Sequence, residues 1–129
     1  MGSLFGHAVR FRRPADLLLA GEGIETVLSL RCLMPALPSA AALSAGNLGA
    51  LVLPKELSRL YVALERDGES AAAFAKLVER GRADGIDVVG LQPRLGDFND
   101  DLRLLGRDAL RERLLAQLEP GDAARFLTR

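Results

Sequence analysis

Acidic residues in this chain gather where apolar runs end. Glu22 follows Leu17-Leu18-Leu19-Ala20-Gly21, and Glu65 and Asp67 follow Leu60-Tyr61-Val62-Ala63-Leu64. Asp97, Asn99 and Asp100 come shortly after the run Ile86 to Leu91. Carboxylates that meet repel one another: two of them ~4 Å apart cost roughly 4 kcal/mol at an effective dielectric of about 20. Such a cluster needs raised pKa values or a bound divalent cation. The ligands on offer are oxygens, since the chain has one His (His7) and one Cys (Cys32). Magnesium or manganese is therefore implied rather than zinc. The plainer alternative is that each acid caps a helix, Asp67 one and Asp97 or Asn99 the next. That alternative explains any single acid better than it explains all of them together.

The elements that must position these residues alternate. Leu17 to Ala20, closed by Gly21, reads as a buried parallel strand. Gly23 to Met34 carries Ile24, Val27, Leu28 and Arg31 at helical spacing and ends at Pro35. Ala40 to Ala45 is a weaker strand and Arg59 to Leu64 the clearest one. Glu69 to Ala83 is a helix with Ala71, Phe74, Ala75 and Val78 on one face, stopped by Asp84-Gly85. After the strand Ile86 to Leu91, helical patterns run through Leu102, Leu105, Leu110 and Leu114, and Pro120-Gly121 precedes a short last segment. This order predicts a single α/β domain with a mostly parallel four-stranded sheet flanked by helices. Ligands of such sheets lie outside the carboxyl ends of the strands. If the first and third strands are neighbours, Glu22, Glu65, Asp67 and Asp97 line one concavity there.

Composition narrows the field. At 129 residues the chain has the length of one domain. With 49% hydrophobic and 26% charged residues it can bury a core and is not disordered. Seventeen basic residues cancel 17 acidic ones, so any nucleic-acid contact depends on a local patch rather than a global field. A single Cys excludes an internal disulfide and a Cys-x-x-Cys pair, and a reducing, cytoplasmic setting is expected. The apolar stretch Leu33 to Leu53 is broken by Pro35, Pro38, Gly46, Asn47 and Gly49, so no membrane span is expected. Residues 1–15 read as a basic lead-in belonging to a longer protein, 16–105 as the domain, and 106–129 as a C-terminal helical extension. The lead-in is not a secretory signal, having no apolar stretch. Its Arg10, Arg12 and Arg13 could touch phosphate or form a solvated arm. Cys32 reads as helix packing.

Gly21-x-Gly23-x-x-Thr26 imitates a dinucleotide fingerprint. It fails because Glu22 would face the pyrophosphate and no acid follows about 20 residues on. A receiver-type phosphoacceptor would want an acid pair after the first strand and a late lysine; Lys55 and Lys76 are misplaced for that.

The stretch Leu19-Ala20-Gly21-Glu22-Gly23-Ile24-Glu25-Thr26 resembles the first motif of Toprim domains, a strand followed by Glu-Gly and a helix. Glu65-Arg66-Asp67 is similar to the second, Asp-x-Asp after a hydrophobic strand. Leu95-Gly96-Asp97-Phe98-Asn99-Asp100 and Leu43-Ser44-Ala45-Gly46-Asn47-Leu48 resemble the primase-like branch found with phages and plasmids. The resemblance spans residues 16–105, with the motifs in order. It implies magnesium- or manganese-dependent phosphoryl or nucleotidyl transfer on nucleic acid, in DNA replication or mobile-element metabolism. Glu22 then matches the general acid/base or metal ligand. Glu65 and Asp67 match the metal-binding pair, Asp97 adds a further ligand, and Gly23, Glu25, Asn99 and Asp100 border the rim. The partners implied are nucleic acid and the flanking domains of a parent protein. Two departures stand out: Glu65 where the family has Asp, and Gly68-Glu69-Ser70 where the branch has Pro-Ala-Gly. They lead to an expectation of weak magnesium binding. They also keep open a degenerate module that binds nucleic acid or a partner without catalysis.

Overall fold

A computed structural model describes residues 8–11, 16–66 and 69–128. Asp67 therefore lies outside the described residues, as do His7, Arg12 and Arg13. The strands are β1 (Val9–Phe11), β2 (Leu17–Gly21), β3 (Ser39–Ala41), β4 (Arg59–Ala63) and β5 (Asp87–Leu91). They form one sheet in the order β1-β3-β2-β4-β5. Pairing is parallel except at the β1 edge, where Val9 lies opposite Ala41 in antiparallel register. All four expected parallel strands are present, but the one expected over Ala40 to Ala45 is shorter, Ser39–Ala41, with Ala45 already opening a helix. The fifth is a correction, because β1 falls in the segment read as a lead-in. A three-residue strand with Arg10 at its centre leaves too little alternation to recognise.

The central strands β2 and β4 are apolar from Leu17 to Gly21 and from Leu60 to Ala63 because both faces of the sheet are covered. Leu17, Leu19, Tyr61 and Ala63 face one core, and Leu18, Ala20, Leu60 and Val62 face the other. The first core is closed by α1 (Ile24–Arg31), α5 (Arg107–Leu115) and α6 (Pro120–Phe126), through Leu30, Leu110, Leu114 and Phe126. The second is closed by α2 (Ala45–Gly49) and α3 (Glu69–Asp84), through Leu48, Ala73 and Leu77. Helix α3 buries Ser70, Ala73, Leu77 and Gly81, a stripe at steps of three and four residues. Gly81 is required there, since a Cβ would come within 2.6 Å of the Ile86 carbonyl oxygen and the Val88 side chain. Gly85, at φ 71°, turns the chain from α3 toward β5.

Between β5 and α5 a short turn, α4 (Phe98–Asp100), runs into a single π-helical turn over Asp101–Leu105. Among the described residues, no helix is long and apolar enough to cross a membrane. Cys32 departs from expectation: it ends α1 and is exposed rather than packed.

Candidate functional site

Strands β2 and β4 are direct neighbours, with Gly21 opposite Ala63. The segments that follow them, carrying Glu22 and Glu65, therefore leave the sheet side by side. Gly23 is the extended N-cap of α1, and the Glu65 carboxylate reaches across to this helix start. Its Oε1 accepts a hydrogen bond from the Thr26 hydroxyl at 3.3 Å. The same oxygen lies 3.7 Å from where a Cβ on Gly23 would stand. Thr26 is itself buried, which fixes the donor. The Glu22 carboxylate has its Oε2 shut away from solvent.

On the other side, the Arg66 main-chain N–H donates to the Gly96 carbonyl at 3.0 Å. This bond brings the β5–α4 loop, and with it Asp97, beside the loop after β4. Asp97 itself caps α4, its Oδ1 accepting the Asp100 N–H at 2.8 Å. The helix-capping reading thus applies to Asp97. The Glu65 main chain is tied down by Ser70, whose hydroxyl accepts the Glu65 N–H at 2.9 Å and donates to the Glu65 carbonyl at 3.0 Å. Arg66 donates to the Pro93 carbonyl at 3.3 Å. Leu64, Glu65, Arg66, Ser70, Ala71, Gln92 and Pro93 line a concavity of about 340 Å³, which takes in Glu65 but neither Glu22 nor Asp97.

The remaining rim candidates lie elsewhere. Glu25 and Asn99 meet each other, Asn99 Nδ2 donating to Glu25 Oε2 at 3.4 Å and Ser29 donating to Asn99 Oδ1 at 3.2 Å. They border a separate hollow with Leu28, Cys32 and Leu102. Asp100 pairs with the exposed Arg103 at 3.1 Å.

Two supporting residues escaped the sequence reading. Asp101 is buried, and its two oxygens accept the N–H groups of Arg94 and Leu95 at 2.8 and 2.7 Å. It thereby holds the loop that presents Asp97. Its signal was present as the acid four places beyond Asp97, one helical turn inward. Thr26 carried a similar signal, four places after Glu22.

The donor chemistry suits a hard divalent cation, being carboxylate oxygen throughout. Among the described residues, however, no group of three or more His, Cys, Asp or Glu is placed to hold a metal ion.

A family model described as "Toprim domain" matches residues 17–108. No curated protein matches the chain. Among solved structures, it is similar to the crystal structure of the Aquifex aeolicus primase (zinc binding and RNA polymerase domains). The TM-score is 0.57 at 18% identity, covering 80% of this chain and 26% of that one. The two share a fold, and this chain spans about a quarter of the primase chain.

Proposed function

The chain belongs to the Toprim domain family, and from that premise we propose that it is the metal-dependent phosphoryl- or nucleotidyl-transfer domain of a primase-like protein acting on nucleic acid. The observation that carries this reading is the Glu65 carboxylate lying against the Glu22–Gly23 turn, fixed by Thr26. Two acids thus leave neighbouring strand ends side by side. Glu22, Glu65 and Asp67 are the residues that would hold magnesium or manganese, and Asp97 extends the set. Such an ion, when bound, offsets charge on a transferring phosphate and lowers the pKa of an attacking hydroxyl.

The chain's own part is positioning and proton handling. Glu22 takes the proton from the attacking hydroxyl, and its half-hidden carboxylate is a suitable base. Thr26 and Ser70 hold Glu65 by side chain and main chain, so that its oxygens need little ordering when substrate arrives. Asp101 fixes the loop that carries Asp97. The setting proposed is cytoplasmic, in DNA replication or mobile-element metabolism, with flanking domains of a parent protein as partners.

A second reading rests on a specific observation. The second motif holds Glu rather than Asp at position 65, and Asp97 already caps a helix. These favour a module that binds nucleic acid or a partner without turnover. Incubation with end-labelled single-stranded nucleic acid and nucleotides, in magnesium or manganese against EDTA, separates the two. Metal-dependent product supports catalysis; binding without product supports the module. Calorimetry of wild type beside Glu65→Asp tests the geometry directly. Magnesium demands a near-ideal octahedron at ~2.0–2.1 Å, so the shorter side chain tightens binding by about 1 kcal/mol. Unchanged or weaker binding in Glu65→Asp removes Glu65 from the defect.

A further inference from the structure

Leu43 is the only non-glycine residue with positive φ among the described residues, at 77°. L side chains rarely adopt this region, and a branched aliphatic one gains nothing locally from it. The loop is held there firmly. The Leu43 N–H donates to the Glu22 carbonyl at 2.7 Å, and the preceding Ala42 N–H donates to Gly21 at 2.8 Å. Asn47 Nδ2 donates to the Ala42 carbonyl at 3.1 Å, while the Asn47 N–H donates to Ser44 Oγ at 3.0 Å.

The strained backbone delivers a large apolar side chain to solvent: Leu43 is 48% exposed. Folding alone explains neither feature, because Gly or Asn would remove both the strain and the exposure. An outlier held by surrounding bonds next to a site is where a functional contact is to be sought. Leu43 is bonded through its main chain to Glu22, and Ile24, just past Gly23, is also partly exposed at 38%. Apolar surface therefore flanks the Glu22–Gly23 turn on both sides in the chain and across the loop.

We propose that Leu43 is a substrate-contacting residue, its side chain packing on the face of the base whose phosphate is handled at Glu22. This rests on the proposed action on nucleic acid and adds to it a contact with the base. The chemistry it recognises is a flat, weakly polar ring beside an anionic backbone. That explains why an aliphatic side chain, rather than another cation, occupies the loop.

The test uses fluorescence anisotropy in magnesium. The probes are two labelled phosphorothioate strands of about 20 nucleotides, one oligothymidylate and one with abasic sugars throughout. Wild type binds the thymidylate strand about fivefold more tightly, the low end of base-contact energies. Leu43→Asn and Leu43→Gly, which both suit positive φ, bring that preference to within about twofold while affinity for the abasic strand stays the same. Leu43→Met retains the preference. The melting temperature of Leu43→Gly equals or exceeds that of wild type. A preference unchanged in Leu43→Asn and Leu43→Gly overturns the proposal. So does equal loss on both strands, equal wild-type affinity for the two strands, or a lower melting temperature in Leu43→Gly. Wild type that binds neither strand overturns both this proposal and the nucleic-acid reading beneath it.

Discussion

At the strand starts, Arg59 meets Asp87 at 3.0 Å and Asp122 at 2.7 Å, Tyr61 donates to the same Asp122, and Arg125 meets Asp16 at 2.9 Å. At the strand ends, Glu65 accepts from Thr26, Asp97 from Asp100, and Asp101 from Arg94 and Leu95, while Asp100 pairs with the exposed Arg103. Both edges of the sheet are rich in carboxylates, but the partners differ in kind. A guanidinium cancels a carboxylate's charge, and here the resulting pairs fasten α6 across the starts of β2, β4 and β5. A hydroxyl or amide dipole steadies a carboxylate and leaves its charge in place. The first edge is fastened by ion pairs; the second, under the proposed function, is where a cation is taken.

The contrast is sharpest in a pair of variants. Glu22→Gln is expected to lower metal-dependent turnover by about a hundredfold or more, with the urea midpoint unchanged. Arg59→Ala does the reverse. Its side chain is 24% exposed and Asp122 only 14%, so removing the cation leaves a largely buried carboxylate without its match. The expected loss is about 3 kcal/mol in urea unfolding, with turnover per folded molecule retained. Loss of stability in Glu22→Gln, or of turnover in folded Arg59→Ala, breaks the division between the edges.

Asp101→Asn tests whether a buried acid at the functional edge supports the site through its loop. The amide can accept from only one side, so one of the two N–H groups loses its partner at a cost of about 2 kcal/mol. Amide exchange at Arg94 and Leu95 should accelerate more than exchange in β4. Uniform acceleration would make Asp101 a general core residue instead.

The clamp also predicts a pH response. Burial, then the bond to Asp122, pushes the Tyr61 hydroxyl up to about 12, against about 10 in an unfolded chain. Because the folded value is the higher one, this contribution is complete below pH 10 and is lost as pH rises from 10 toward 12. The urea midpoint should fall over that window, by about 2 kcal/mol in stability at its end, and Tyr61→Phe should flatten the fall. An equal fall in Tyr61→Phe would assign it to another group.

Much of this contrast was readable in the chain, and unevenly so. Leu17 to Gly21 and Leu60 to Ala63 are apolar throughout, which marks strands buried on both faces. The acids directly after them had to emerge together once those strands paired. The position of β1 was not readable, because Val9-Arg10-Phe11 is too short and too basic to show a period. The clamp was invisible for another reason: Arg59 and Asp122 are 63 residues apart, and only the docking of α6 brings them together. Leu43 lay inside a recognised motif, but its backbone gave no signal, since nothing in a leucine's neighbours announces a positive φ.

Under the proposed function the strand ends, and not the equally acidic strand starts, take the metal. Manganese titration of the full chain, followed by amide NMR, tests it most directly. Line broadening should be strongest at Gly21–Gly23 and Leu64–Arg66 and extend to Gly96 and Asp97. It should fade toward Arg59 and Asp87, which lie about 13 Å away along the strands. Broadening centred on Asp16, Asp87 and Asp122, or none that is selective at saturating manganese, would contradict it.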